Sequence, residues 1–330
     1  MRGFLFPVLS RFRPTRRFSA ARPRFKLSSL STIRPIYLCG PTASGKSALA
    51  AALAARLDGE IVNADAFQLY RGLDTLVAAP STEERGAAPH HLYGVLDPSE
   101  TCDAMRYREL ARPLVQEIVA REKTPIITGG SGLYLKFLTH GPDPVPPSDP
   151  RLRAELDLRS LEELTEELTR LDPLEASRTN LSNRRFVSRA LEICLLSGRK
   201  CSDLRDRWAT RSRQIDSTLL GLVIRRERAD LHQRIDLRTR LMLEGGAIDE
   251  VRRTELSPTF SKAIGVPQIR DLLDGKIDRH RCHELMVFAT RQYAKRQETW
   301  FRRETWLRPV VWSPAGKAPV DAAVESLLAR

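Results

Sequence analysis

The 330-residue chain has no pair of cysteines at C-x-x-C spacing; its five cysteines stand apart at positions 39, 102, 194, 201 and 282. That pattern excludes a thiolate zinc site and a disulfide framework, and it suits buried, reduced thiols. The six histidines are equally scattered. The pair in "PHH" (89–91) is expected in a loop, without metal-site spacing, so no zinc is assigned. No apolar run approaches the about 18 residues of a membrane span, so no membrane partner is expected. Acid is missing from residues 1–34, which hold eight arginines and one lysine. This Arg- and Ser-rich stretch is expected to stay outside the fold, as a transit-like segment or a disordered basic tail. It carries most of the net charge of +13; from Pro35 onward there are 45 basic and 41 acidic residues, or +4. A nucleic-acid footprint must then be a local patch.

What is present is an alternation of strands and helices. "PIYLC" is a short buried strand ending at Gly40, "KSALAAALAARL" (46–57) a helix, and "GEIVNAD" (59–65) a second strand ending on a carboxylate. Residues 103–121 have amphipathic helical spacing, "TPIITGG" (124–130) is a third strand, and "GLYLKFLTH" a helix. The fold class predicted is α/β: a P-loop parallel sheet with helices on both faces and an all-helical insert. The insert is expected over 143–217, after the five-proline stretch "HGPDPVPPSDP", and divides the core into 35–142 and 218–330. "TLLGLVI" (218–224) resumes the sheet, "HRCHELMVFATRQYAKRQETWFRRETW" is a long basic helix, and "PVVW" (309–312) a last strand.

"GPTASGKS" matches G-x-x-x-x-G-K-[ST], between a strand and a helix as a P-loop requires. Gly40, Pro41, Thr42, Ala43, Ser44, Gly45, Lys46 and Ser47 are therefore the candidate diphosphate- or nucleotide-binding residues. The backbone N–H groups make a nest for phosphate oxygens, Lys46 adds a charge, and Ser47 is a ligand for Mg²⁺, the expected cofactor. Asp65 ends the second strand, whereas the third ends in "GGSG" with no acid. From its position alone Asp65 is a metal-side carboxylate, a general base facing the loop, or a helix N-cap.

"GPTASGKSALA", "IVNADAFQLYRGLD", "PHHLYGVLDP", "PIITGGSGLYLKFL", "SRALEI", "HQRIDLRTRLMLEGGAIDEV", "KAIGVPQI" and "ATRQYAKRQETWFR" occur in the order seen in bacterial-type tRNA dimethylallyltransferases, and the chain resembles that family over 36–312. The resemblance implies transfer of a dimethylallyl group from dimethylallyl diphosphate to N6 of adenosine-37 in the tRNA anticodon loop, with release of pyrophosphate. It implies Asp65 as the base and Ser131 as a residue of the reaction channel. Arg153 matches a position that touches tRNA. Further tRNA contacts are expected from Asp65, Ala66, Phe67 and Gln68, from Arg185, Phe186, Val187, Ser188 and Arg189, and from Lys262, Ala263, Ile264, Gly265, Val266 and Pro267. The basic helix adds Arg291, Lys295, Arg296, Arg302 and Arg303, with Trp300 and Phe301 as stacking groups. A monomer acting in the cytoplasm is expected, with an organellar location as the alternative because of residues 1–34.

The chain departs from the family's usual pattern at Ala66 and Phe67, at Val77 and Ala79, at Phe186, and at "IGVP", where Tyr-Arg or Tyr-Lys is usual. By the resemblance, each is expected on the acceptor side or its rim. Two other enzymatic readings compete: a small-molecule P-loop kinase, and an adenylate isopentenyltransferase using free AMP, ADP or ATP. The first leaves the helical insert and the basic helix unexplained, and enzymes of the second kind lack most of the insert. A non-enzymatic nucleic-acid binder explains neither the P-loop nor Asp65.

Overall fold

A computed structural model describes residues 33–81, 85–86, 88–313, 316 and 318–329. The expectation for the 1–34 tail therefore lies outside the described residues, apart from Ile33 and Arg34. Six strands, β1 (Ile36–Cys39), β2 (Gly59–Asn63), β3 (His90–His91), β4 (Thr124–Gly129), β5 (Leu220–Arg225) and β6 (Leu307–Val311), make one sheet in the order β3-β2-β4-β1-β5-β6. Every neighbouring pair is parallel.

The central strands β1, β4 and β5 are buried on both faces because helices cover both. Side-chain alternation divides β1. Ile36 and Leu38 join an apolar cluster with Leu49 and Leu53 of α1 (Lys46–Leu57) and Ala323 and Leu327 of a C-terminal helix, Val320–Leu328. Tyr37 and Cys39 face the opposite cluster. That cluster is completed by α2 (Ala104–Ala120), α3 (Gly132–His140) and, late in the chain, α10 (Ala247–Arg253), α11 (Val266–Leu273) and α12 (Arg279–Arg302).

Between α3 and β5 the chain makes five helices and, among the described residues, no strand: α4 (Pro150–Asp157), α5 (Leu161–Leu171), α6 (Pro173–Arg178), α7 (Arg184–Ser197) and α8 (Cys201–Asp216). They bury a separate apolar cluster that includes Leu164, Leu168, Val187, Leu191 and Leu204. Local chemistry sets the helix starts: Ser160 and Glu163 form a capping box for α5, and Asn183 caps α7. The two ends of this unit meet where His140 Nε2 lies 2.9 Å from Asp216 Oδ1. The remaining long helix, α9 (Arg228–Glu244), packs along α12. The C-terminal helix is α13 (Val320–Leu328).

One expectation is corrected. His90 and His91 are not in a loop but form the edge strand β3, paired with Ile61 and Val62. A two-residue strand is too short to show a period, and what holds it is tertiary: the buried Glu60 carboxylate takes His91 Nε2 at 2.7 Å and Arg121 at 2.8 Å. Boundaries also move. β2 stops at Asn63, whose Oδ1 accepts the Asp65 N–H at 2.8 Å and turns the chain out of the sheet. The carboxyl ends of β1, β2, β4 and β5 thus open onto one edge, where ligands of parallel α/β sheets bind.

Candidate active site

The loop after β1 has the conformation its glycines allow. Gly45 sits at φ 95° and Ala43 at φ 63°, which turns the loop back so that Lys46 opens α1. Lys46 Nζ donates to the Pro41 carbonyl at 2.8 Å. Side chains from distant elements grip the loop from outside. Gln297 Oε1 accepts the Thr42 N–H at 2.8 Å, and Arg238 donates to Thr42 Oγ1 at 2.5 Å. Arg234 Nε donates to the Ala43 carbonyl at 2.8 Å, and Arg226 Nε to the Ser44 carbonyl at 2.7 Å. Four cationic side chains therefore crowd one loop.

Their crowding shows in their acidities. Burial pushes Lys46 down from 10.5 to about 8; Asp65 opposes the shift and Arg238 adds to it. Arg238 falls to about 10, again by burial, with Asp65 opposing and Arg234 adding. Depressed cations of this kind mark a site built for an anion. Ser44 Oγ is buried without a protein partner.

Asp65 faces this loop from the end of β2. Its Oδ1 accepts the Phe67 N–H at 3.2 Å, so it fastens a turn; no helix follows, and the N-cap reading is dropped. Ser131 Oγ accepts the Ala66 N–H at 2.9 Å, which ties the β4–α3 turn to the same stretch. The Tyr293 hydroxyl lies near Ser131 and Gln297; burial, and then the Asp65 charge, push its pKa up, so it keeps its proton. Gln297 Nε2 donates to the Gly130 carbonyl at 2.9 Å. One buried amide thus joins the P-loop to the "GGSG" turn. A methyl group on Gly130 would lie 2.1 Å from that amide nitrogen, which is why α12 can approach only a glycine here.

Beside these groups lies a cavity of about 220 Å³ lined by Thr42, Asp65, Phe67, Leu76, Val77, Arg238, Met242, Ala263, Ile264, Met286, Thr290, Tyr293 and Arg296. It combines the cations Arg238 and Arg296 beside Thr42 of the P-loop, apolar walls from Leu76, Val77, Met242 and Met286, and one carboxylate. Such a space suits a small apolar group carried on a phosphate anion, with a base within the same pocket.

The family model described as "IPP transferase" matches residues 68–304. The chain is 43% identical over 281 residues to the tRNA dimethylallyltransferase of Akkermansia muciniphila, covering 85% of this chain and 94% of the relative. It is 42% identical over 290 residues to the tRNA dimethylallyltransferase of Anaeromyxobacter dehalogenans, covering 85% and 94%. The crystal structure of the full-length tRNA isopentenylpyrophosphate transferase from Bacillus halodurans superposes with a TM-score of 0.65 at 30% identity, covering 89% of this chain and 94% of that one. The chain belongs to the IPP transferase family.

In this IPP transferase the residues singled out from sequence fall into three places. Gly40 to Ser47, Asp65 and Ser131 gather at the carboxyl edge of the sheet, and Phe67, Ala263, Ile264 and Arg296 line the cavity with Asp65. Gln68 Nε2 is taken up inside the protein by the Val77 and Ala78 carbonyls, at 3.1 and 2.9 Å. Arg153, Arg185, Phe186, Ser188 and Arg189 line a separate groove of about 810 Å³ on the helical insert, with Asp157 and Arg184. Phe186 is 52% exposed there, and Ser188 Oγ is buried without a partner.

Some expectations are corrected by burial. Val187 is fully buried in the insert's apolar cluster and Val266 in the main core, so their side chains offer no surface to tRNA, whereas Ala263, though buried, still lines the cavity. Phe301 is likewise a core residue, 4% exposed, and not a stacking group on the basic helix; Trp300 next to it is 38% exposed. Arg189 is held by Glu192 and the Pro146 carbonyl, where it closes the groove. Pro267 stands in the first turn of α11, a place that favours proline, so "IGVP" is a compatible helix start.

Sequence reading missed Arg226, Arg234, Arg238, Tyr293 and Gln297. The signal for the arginines was their spacing: 234 and 238 are four apart and share one face of α9. Nothing in the sequence says that this face meets the P-loop.

Proposed function

We propose that this family member transfers a dimethylallyl group from dimethylallyl diphosphate to N6 of adenosine-37 in the tRNA anticodon loop. The observation that carries the reading is the cavity in which Arg238, apolar walls and Asp65 meet beside Thr42 of the P-loop. The diphosphate lies on the loop N–H groups, with Lys46 and Arg238 beside it. The five-carbon chain takes the apolar walls, Leu76, Val77, Met242 and Met286. The adenine N6 attacks C1 of the prenyl group, the C1–O bond breaks, and the electron pair leaves with pyrophosphate. Charge grows on the leaving oxygen, where pre-placed cations and N–H donors act most strongly. The N6 proton passes to the Asp65 carboxylate, which the Phe67 N–H holds in place while Asn63 holds the Asp65 backbone. Tyr293, still protonated, and Ser131 keep the pocket side of that turn ordered.

A Mg²⁺ ion fits the donor chemistry of the loop, since Ser47 and the orphaned Ser44 hydroxyl are hard oxygen donors. Bound there, it would neutralise diphosphate charge. The insert groove, with Arg153, Arg185 and exposed Phe186, supports recognition of a single-stranded RNA loop by charge and stacking.

The test is labelled dimethylallyl diphosphate offered without ATP to bulk tRNA, to AMP, or to no acceptor. The expected result is prenylated adenosine in tRNA and pyrophosphate in equal amounts. Product only on AMP points to the adenylate isopentenyltransferase reading. A requirement for ATP, or transfer of its γ-phosphate, points to the kinase reading.

A further inference from the structure

A loop of the "GPTASGKS" type most often carries a nucleotide, and a nucleobase needs a stacking place beside the loop. In this structure an aromatic side chain of the protein sits against that part of the loop. Trp312, directly after β6, is 8% exposed. One side of its indole packs on the junction of loop and α1: a methyl group at Gly45 would lie 2.7 Å from indole Cζ3. The guanidinium carbon of Arg226 stands 4.4 Å from the ring centroid. Arg226 itself is held on the loop, donating to the Ser44 carbonyl at 2.7 Å and pairing with Asp230 at 2.6 Å. The indole N–H donates to the Gly316 carbonyl at 3.1 Å.

A bicyclic aromatic ring under an arginine, with its N–H satisfied, is the arrangement by which proteins hold bases. An ordinary core tryptophan would be surrounded by aliphatic side chains. This one has aliphatic neighbours from α1 and α13, but its ring also carries the arginine that grips the P-loop.

We propose that Trp312 is a built-in substitute for a nucleobase. It fills the stacking place beside the P-loop and keeps Arg226 pinned to Ser44, which makes the loop selective for a diphosphate without a nucleoside. Trp312 is a positioning and specificity residue and touches no reacting atom. The inference deepens the proposed function, since it accounts for a nucleotide-type loop serving a prenyl diphosphate.

The test compares ATP with inorganic tripolyphosphate by calorimetry on the full chain, so that it does not depend on prenyl turnover. In the native protein ATP binds no more tightly than tripolyphosphate. In Trp312→Ala the indole's space is open to adenine, and ATP gains at least about tenfold over tripolyphosphate, the scale of one stacked base. Trp312→Phe, which keeps an aromatic ring in place, retains the native ratio. Two results overturn the proposal: native protein that prefers ATP about tenfold, or a ratio unchanged in Trp312→Ala. If Trp312→Ala does not fold, Trp312→Leu takes its place, and the native comparison still decides. Failure of dimethylallyl diphosphate turnover on tRNA in the native protein would instead count against the proposed function, and the two failures are read separately.

Discussion

Raising the pH should weaken the donor site through Lys46 before any other group in the loop responds. In the substrate-free enzyme its ammonium has been pushed from 10.5 to about 8, because burial and the Arg238 charge disfavour it. A bound diphosphate supplies the missing counter-charge and restores the charged form. Below pH 8 the lysine is charged whether or not substrate is present, and KM for dimethylallyl diphosphate is flat. Above pH 8 the free enzyme has lost the proton that the complex needs, so KM rises by up to one decade per pH unit. At about pH 9 the rise is about tenfold. The donor itself is not the cause, since a phosphate's last pKa of about 6 leaves it fully ionised there. Arg238, at about 10, responds only later. Stability moves the other way. The folded state disfavours the lysine's charge, so the unfolded chain binds more protons between about 8 and 10.5, and this group's contribution to the free enzyme's stability improves as pH rises through that window. The assay is initial rate against donor concentration at saturating tRNA, from about pH 6.5 to 9.5. Lys46→Arg, which keeps its charge, should abolish the slope. A KM flat to pH 9.5, or an equal rise in Lys46→Arg, would refute the reasoning.

Asp65→Asn should lower single-turnover transfer by about 10²- to 10⁴-fold, the range for a positioned base, while tRNA affinity changes little; collapse of affinity with chemistry intact would make Asp65 a binding residue. Gln297→Ala leaves the Thr42 N–H and the Gly130 carbonyl without their partner, which costs about 1–3 kcal/mol for each buried group; the melting temperature should fall and KM for the donor should rise. Gly129→Ala should be worse, because its methyl group would lie 2.2 Å from the Ala64 backbone, which cannot move without shifting β2 against β4; a melting temperature equal to native would count against the packing described. Phe186→Ala, on the insert surface, should raise KM for tRNA with kcat and the KM for dimethylallyl diphosphate unchanged, as steady-state kinetics on both substrates would show.

The sequence by itself determined the elements and the phosphate loop. β1, β4 and β5 are continuous apolar runs because both faces of a parallel sheet are covered, and such runs are visible without knowing what covers them. The P-loop is legible because its conformation depends on local glycines and on the start of its own helix. Asp65 was visible as a carboxylate at a strand end. What it does there was open, since an N-cap, a metal ligand and a base have the same local sequence. Tertiary structure decided the rest. Thr42 and Gln297 are 255 positions apart and Thr42 and Arg238 are 196 apart, so no local period connects them. The same holds for burial within one helix: Phe186 and Val187 are adjacent, yet one is on the groove and the other in the insert core, because only packing against α5 fixes the rotation of α7. β3 exists because Glu60 binds His91 and Arg121, and Trp312 acquired a role because the end of β6 lies beside a loop that left β1 more than 260 residues earlier. A chain of this length states its local preferences in order, whereas a site assembled at a sheet edge depends on which strand ends the topology makes neighbours.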